Sequence, residues 1–378
     1  MTDLTLPQLG YGCYALAGAY GNCLSEQQKL SQIQLAYDLG IRFFDTAGNY
    51  GDTEITLGRA VASFRDKILV ASKVGPTDDG KVRLTRKHVM ASCEQSLRRL
   101  GTDYLDLLQV HFDDPDTPVA ETVAALESLQ AQGKIRAYGV GHLPVDRVRE
   151  YVQFGSVATV LAEMNAVSRL RYQELMPLQE KWGFAIIAFS VTGRGLLTGK
   201  VTPQTRFASG DIRQLDPMFR RAKLTAGLRL ADELAAIGAK FGKSPAQIAI
   251  AWVLQHSGVT TALTGPLDPN HLRENVAVAD WRLPQEYFAR MNKVIEQQEK
   301  LVRHQIVQEV REILVAPLAA DPGQAQVDLV YVLEHALEYQ WLAYDTGIEI
   351  FRAVLGEPEA SALTAAQAHL RDHVRAHL

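Results

Sequence analysis

The stretch Ile41–Lys73, IRFFDTAGNYGDTEITLGRAVASFRDKILVASK, holds the unit from which the chain is built. A short apolar run around Phe43 and Phe44 ends at Asp45. Small and turn-forming residues then carry Tyr50, and Thr53–Ser63 reads as a helix. A second apolar run, Ile68–Lys73, follows. Neither run alternates apolar with polar residues, and continuous apolar strands belong to parallel sheets covered on both faces. The stretch therefore predicts strand, loop, helix and strand, with an ionisable side chain ending each strand.

The same unit recurs along the chain. Further strands are predicted at Gly10–Tyr14, Leu105–His111, Ala137–Gly141, Thr159–Glu163, Ala185–Ser190 and Thr261–Gly265. Helices are predicted after Ser25, where SEQQ fits a capping box, and at Thr85–Leu100, Pro118–Gln132, Val145–Phe154, Tyr172–Trp182, Ala222–Phe241 and Pro269–Ala279. A further helix starts at SPAQ (Ser244–Gln247), with Pro245 at the favoured first position. Strands alternating with helices in this way predict an α/β fold, a (β/α)8 TIM barrel. An open doubly wound sheet would want a GxGxxG turn after an early strand, and none is present. Residues 191–221 form a long loop rich in Gly, Thr, Arg and Lys, a composition suited to an anionic ligand. Beyond about residue 300 no strand is evident. Two helices, Leu301–Leu318 and Val327–Gly356, around a Pro/Gly break and a last helix over Ser361–Leu378 predict an α-helical extension over 301–378, after a barrel over 1–300.

Composition narrows the function classes. The chain has 378 residues, 47% hydrophobic and 22% charged, with a net charge of −4. That balance gives no electrostatic reason to expect a nucleic acid or an anionic membrane as partner. The three cysteines, Cys13, Cys23 and Cys93, form no CxxC pair, which argues against a disulfide scaffold and fits a cytoplasmic protein. No basic-then-apolar leader opens the sequence, and no apolar run approaches the ~20 residues of a membrane helix.

In a barrel of this kind, functional side chains sit at the C-terminal ends of strands. Asp45, Lys73 and His111 end three successive strands, and Tyr50 follows the first. A phenol of pKa near ~10 is a poor proton donor at neutral pH, and a nearby ammonium lowers it. Lys73 is expected to do so, held by Asp45, while His111 positions a substrate oxygen. The set suits reversible proton transfer to a carbonyl oxygen while a hydride arrives from a cofactor.

These residues resemble the aldo-keto reductase family. The resemblance spans roughly residues 8–295 and is carried by FFDTAGNYG, ILVASKVG, LGTDYLDLLQVH, GKIRAYGVG, IIAFSVTGRGLLTGK, SPAQIAIAWVL and LRENVAVADW. It implies a catalytic set at Asp45, Tyr50, Lys73 and His111, and a nicotinamide dinucleotide lying across the barrel mouth. It implies an aromatic stacking contact at Phe189. Pyrophosphate contacts fall at Ser190 and in the loop Gly193, Arg194, Leu196, Thr198 and Lys200. Adenine contacts fall at Glu274 and Asn275, and further cofactor contacts at Gly12, Cys13, His142, Gly265 and His271. Three positions depart from the family pattern: Gly141 and His142 stand where Ser-Asn is usual, and Leu161 stands where a glutamine is usual, with Glu163 and Asn165 nearby as substitutes for it. YGVGHLP resembles the L-galactose dehydrogenase-like branch, which also lacks Ser-Asn and uses NAD. Gly265–His271 lacks the Arg or Lys that grips a 2′-phosphate, and Asp268 would repel one, so the residues lean toward NAD(H) over NADP(H).

Two features lie outside the barrel. His369, His373 and His377 recur every four residues, a spacing that reads as a solvated or interface face rather than a metal site. Tyr331, Tyr339, Trp341, Tyr344 and Phe351 are too many for an exposed helix and are expected to pack on the barrel or on another copy of the chain, which offers a route to a homo-oligomer. The sequence reading is an NAD(P)(H)-dependent oxidoreductase acting on an aldehyde, ketone or sugar, or on the corresponding alcohol. A different reaction with a tightly bound or absent nicotinamide, and a non-catalytic binding subunit, are the alternatives.

Overall fold

The computed structural model describes residues 4–355 and 359–378. The Met1–Asp3 start of the N-terminal segment and Gly356, where the sequence reading ends a helix, lie outside them. Eight parallel strands close a barrel in sequence order. They are β1 (Leu9–Gly12), β2 (Phe43–Asp45), β3 (Leu69–Val74), β4 (Leu105–Val110), β5 (Ile135–Gly141), β6 (Thr159–Glu163), β7 (Ala185–Phe189) and β8 (Val259–Thr264). Each predicted strand is present. The first is shorter than expected, because the backbone turns into a 3-10 helix at Cys13–Ala17 that ends on left-handed Gly18.

The chain divides into two compact units. The first holds residues 4–192 and 246–283, with all eight strands. Its centre is an apolar plug that includes Phe43, Ala71, Leu107, Ala137, Leu161, Ile187 and Leu263. Side chains two residues apart on a strand share a face. Two positions beyond the plug residues, the same face carries Asp45, Lys73, Gln109, Gly139, Glu163 and Phe189. The parity that fills the barrel with hydrocarbon thus delivers its polar groups to one end. Capping follows the sequence: Ser25 and Gln28 form the expected capping box of the helix Glu26–Asp38, and Thr85 caps Arg86–Leu100.

The second unit holds residues 193–245 and 284–378. It contains the helices Arg221–Ala239, Gln285–Val315, Pro322–Glu338, Tyr344–Leu355 and Ala360–Val374. The helix Gln285–Val315 runs through residue 300 without a break. The segment expected as one helix from Val327 onward is divided at Tyr339–Ala343. There Gln340 takes a left-handed conformation (φ 57°) and Trp341 N–H returns to Ala336 O at 2.8 Å, a Schellman closure. Four of the five aromatics named from the sequence are covered within this unit. Tyr331 and Trp341 are buried, and Tyr339 and Phe351 pack, in a core that the unit makes from its own helices with Ile306, Val310, Leu329 and Leu370. His369 and His373 lie ring against ring at 4.6 Å, and no group of metal-binding side chains occurs among the described residues. No helix there is long and apolar enough to cross a membrane.

Helix propensity and packing disagree in sign at Gly58, which makes it a test of the barrel's fit. Gly58 is buried in the helix Thr53–Val61 that follows the Tyr50 loop, and a Cβ there would meet the backbone oxygen of Leu100 at 2.2 Å. Propensity alone favours alanine by ~1 kcal/mol. Gly58→Ala is expected instead to destabilise by about 1–3 kcal/mol, read from urea unfolding, because the obstacle is backbone.

Candidate active site

The ends of β2, β3 and β4 bring three ionisable side chains together. Asp45 is the last residue of β2, Lys73 lies one residue before the end of β3, and His111 follows β4 directly. All three are buried. Lys73 Nζ donates to Asp45 Oδ1 at 2.5 Å and to Thr46 O at 2.8 Å. Gln109 Nε2 donates to the other carboxylate oxygen, Asp45 Oδ2, at 3.0 Å. A buried ion pair survives when further hydrogen bonds satisfy its remaining valences, and Thr46 and Gln109 do that here.

Tyr50 is set against this pair. Lys73 Nζ lies 5.1 Å from the centre of its ring, and His111 meets it edge-on at 5.7 Å. Tyr14 packs on its other side at 4.8 Å. The loop that presents it is anchored from behind: Arg99 Nη1 donates to Gly48 O at 3.0 Å and lies 3.4 Å from Glu54. Glu54 is fully buried and takes the Ser72 hydroxyl at 2.6 Å. The loop therefore rests on a buried carboxylate, which fixes where the phenol sits.

Electrostatics correct one expectation. Burial, and after it the Asp45 charge and the neighbouring Tyr14, Cys13 and Tyr20, push the Tyr50 phenol well above its ordinary value. The Lys73 ammonium, 5.1 Å from the ring centre, does not overcome that burial, and the Asp45 charge acts in the opposite sense. Tyr50 is thus a protonated phenol across the physiological range. His111 moves the other way: burial, then the charges of Lys73 and His142, hold its imidazole well below the usual histidine value. It is neutral at pH 7, and its buried Nδ1 has no hydrogen-bond partner.

A row of rings continues around the mouth. His111 stacks on Phe112 at 4.4 Å, His142 lies 5.5 Å from His111, and Phe189 lies 4.7 Å from His142. His142 and Ser190, directly after β5 and β7, both adopt left-handed backbone (φ 51° and 57°). Non-glycine residues are held there at a cost of ~1–3 kcal/mol each, and such residues cluster at functional sites. Ser190 Oγ and Asn165 Nδ2 are buried without hydrogen-bond partners. Gly12 and Gly265, at the ends of β1 and β8, approach so closely that a Cβ on Gly265 would lie 2.1 Å from Gly12 O. Cys13, next to Gly12 in sequence, is buried, its thiol pushed up by burial.

The remaining positions named from the sequence divide. Leu161 is part of the barrel plug, so nothing polar stands where the family's glutamine is usual. Asn275 donates to Thr264 Oγ1 at 2.8 Å, tying its helix to the end of β8, and Glu274 offers its backbone oxygen to Gln247 at 2.8 Å. His271 lies in the first turn of that helix, where Asp268 Oδ1 accepts the N–H groups of Asn270 (2.7 Å) and His271 (3.4 Å). The loop residues belong to the second unit. There Arg194 Nη1 donates to Asp216 Oδ2 at 2.7 Å, Thr198 Oγ1 donates to Gly195 O at 2.7 Å, Leu196 is buried against Gly227, Gly193 has positive φ, and Lys200 is exposed. Sequence reasoning missed Gln109, Arg99, Glu54 and Tyr14. Gln109 was the detectable one, a lone amide inside LDLLQV at the parity of Lys73 and Asp45.

Residues 8–296 match the Aldo/keto reductase family. The chain belongs to the aldo/keto reductase family. It is 31% identical over 303 residues to an NADH-specific methylglyoxal reductase of Escherichia coli K12, covering 75% of this chain and 92% of the relative. Among solved structures, it is similar to the glycerol dehydrogenase AKR11B4 of Gluconobacter oxydans (TM-score 0.71, 29% identity, 78% of this chain and 93% of that one). It is also similar to a Klebsiella pneumoniae aldo/keto reductase in complex with NADP and acetate (TM-score 0.61, 27% identity, 77% and 92%). The chain is therefore an oxidoreductase of the NAD(P)-dependent aldo/keto reductase type. The helices beyond residue 296 lie outside the family match.

The depressed imidazole gives a pH signature. As pH falls through about 6.5, the unfolded chain takes up a proton that folded His111 refuses. Its contribution to stability is intact above that pH and is lost below it, down to the folded value. His256 and His335, each pushed down to about 4 mainly by burial, act in the same sense. His111→Gln is expected to flatten, without abolishing, the fall in urea midpoint between about pH 6.5 and 5.

Proposed function

We propose that this aldo/keto reductase reduces a small aldehyde or ketone with NADH, Tyr50 serving as proton donor, and runs the reverse oxidation with the same residues. The observation that carries the reading is the contact of Tyr50 with the Lys73–Asp45 pair and with neutral His111. A carbonyl oxygen placed between Tyr50 and His111 gains a proton from the phenol. His111, being neutral, orients that oxygen without a competing charge. As negative charge develops on Tyr50, the Lys73 ammonium is close enough to stabilise it, and the Asp45, Thr46 and Gln109 contacts keep Lys73 in place. Tyr14 packs on Tyr50, and the Phe112 and His142 rings continue the apolar edge of the site. The nicotinamide, when bound, supplies or accepts the hydride.

The residues present fit that cofactor. The buried Ser190 hydroxyl and Asn165 amide are the kind of unpartnered polar atoms that a carboxamide satisfies. Phe189 offers a ring face, and the close backbones at Gly12 and Gly265 leave no side chain between the ends of β1 and β8. On this reading Asn165 and Ser190 replace the Ser-Asn pair and the glutamine of the family pattern. The preference for NAD(H) is supported by Asp268. Its carboxylate already occupies the helix N-terminus at Asn270 and His271, where it repels a 2′-phosphate. The relatives named for methylglyoxal and for glycerol point to short, polar carbonyls and alcohols as the substrate class.

Initial rates with methylglyoxal and with dihydroxyacetone, each with NADH and NADPH, test the reading, and higher kcat/KM with NADH is expected. Tyr50→Phe should lower kcat by two or more orders of magnitude while NADH still quenches protein fluorescence with nearly unchanged affinity. Turnover at the parental rate would remove Tyr50 from the mechanism. Because Tyr50 is raised and His111 lowered, reduction should hold a level kcat from about pH 6 to 9 and fall only as pH rises past the ordinary phenol value of ~10.

A further inference from the structure

The second unit contains a cavity of about 700 Å³ that the barrel chemistry does not use. That volume is within the range of small-molecule sites. One wall is the segment 203–224 and the other is the start of the helix Pro322–Glu338. That helix lies beyond the family match.

Four arginines line it: Arg206, Arg213, Arg220 and Arg221, against one lining carboxylate, Asp328. Arg213 is held by Asp211, with Nη2 to Oδ2 at 2.6 Å, and Arg221 reaches Asp328 only at 3.5 Å. Arg206 donates to backbone oxygens of Pro203 and Thr205. Arg220 spends Nη2 on Gln214 O, but its buried Nε has no hydrogen-bond partner. Burial disfavours the Arg220 charge; Asp328 and Asp216 offset part of that cost, and Arg221 adds to it. The lining therefore carries more cation than its own carboxylates neutralise. The helix Arg221–Ala239 also begins at this wall, with no side chain capping it and no acidic residue in its first turn. Uncapped N-termini favour phosphate oxygens, as guanidinium forks do. Two aromatic rings complete the wall. Phe207 and Phe219 meet edge-on at 4.9 Å, and Arg213 lies over Phe207 at 4.4 Å.

We propose that this cavity binds a small organic phosphate, its phosphate on Arg220, Arg221 and the start of the helix Arg221–Ala239, and its apolar body against Phe207 and Phe219. The phosphate supplies the acceptors that Arg220 lacks, and the rings distinguish a phosphate ester from the free ion.

Calorimetric titration of the full-length protein with phenyl phosphate and with inorganic phosphate tests this, in the presence and absence of saturating NADH. Saturable binding of phenyl phosphate is expected, tighter than that of inorganic phosphate and unchanged by NADH. Arg220→Gln and Arg221→Gln should each weaken it by roughly tenfold or more, the loss of a charge-assisted contact. Arg221→Lys should recover part of the loss. Arg221 is exposed, so its variants keep the test open if Arg220→Gln fails to fold. No saturable binding at millimolar phenyl phosphate would overturn the proposal. So would displacement by NADH, which would make the cavity part of the dinucleotide site, or undiminished affinity in Arg221→Gln. Equal affinity for the two probes would overturn the organic ligand in favour of free phosphate.

Discussion

The ion pair between Lys73 and Asp45 is the constraint around which the site is arranged. Both groups are buried, and the low polarity of a barrel interior makes an isolated charge there costly by several kcal/mol. The pair is tolerated because its valences are filled by Thr46 O and Gln109 Nε2. Those partners come from the residue after β2 and from β4, the strands on either side of β3. Burial, with the Asp45 charge after it, keeps the proton on Tyr50, and burial, with the Lys73 charge after it, keeps the His111 imidazole neutral.

Strand parity explains how an apolar plug and a polar mouth coexist in one barrel. Phe43, Ala71 and Leu107 fill the interior, and two residues later Asp45, Lys73 and Gln109 point the same way with polar ends. A shift of one residue in any of these strands would exchange polar for apolar across the wall. The register that stabilises the fold is also the register that assembles the chemistry.

Much of this was legible in the sequence. Continuous apolar runs ending in Asp45, Lys73 and His111 announced parallel strands and a polar mouth, and all eight strands lie where the pattern placed them. Other elements depended on partners distant in the chain. Arg99 supports the Tyr50 loop from a helix 51 residues away, and no local pattern marks it. The direction of the Tyr50 shift differs from the expectation for a related reason: Lys73 and Asp45 can be read from sequence, whereas the burial that dominates at the phenol depends on the packing around the loop. In the helical region, the aromatics signalled burial but not against what. Their cover is the unit's own helices, brought round by the left-handed turn at Gln340, a residue type with no strong preference for it.

The left-handed backbones of His142 and Ser190 carry a folding cost that glycine would remove. With glycine at both, the mouth would lose the imidazole that lies between His111 and Phe189 and the buried hydroxyl that follows β7. The strain is therefore the conformational cost of presenting those two side chains at the strand ends.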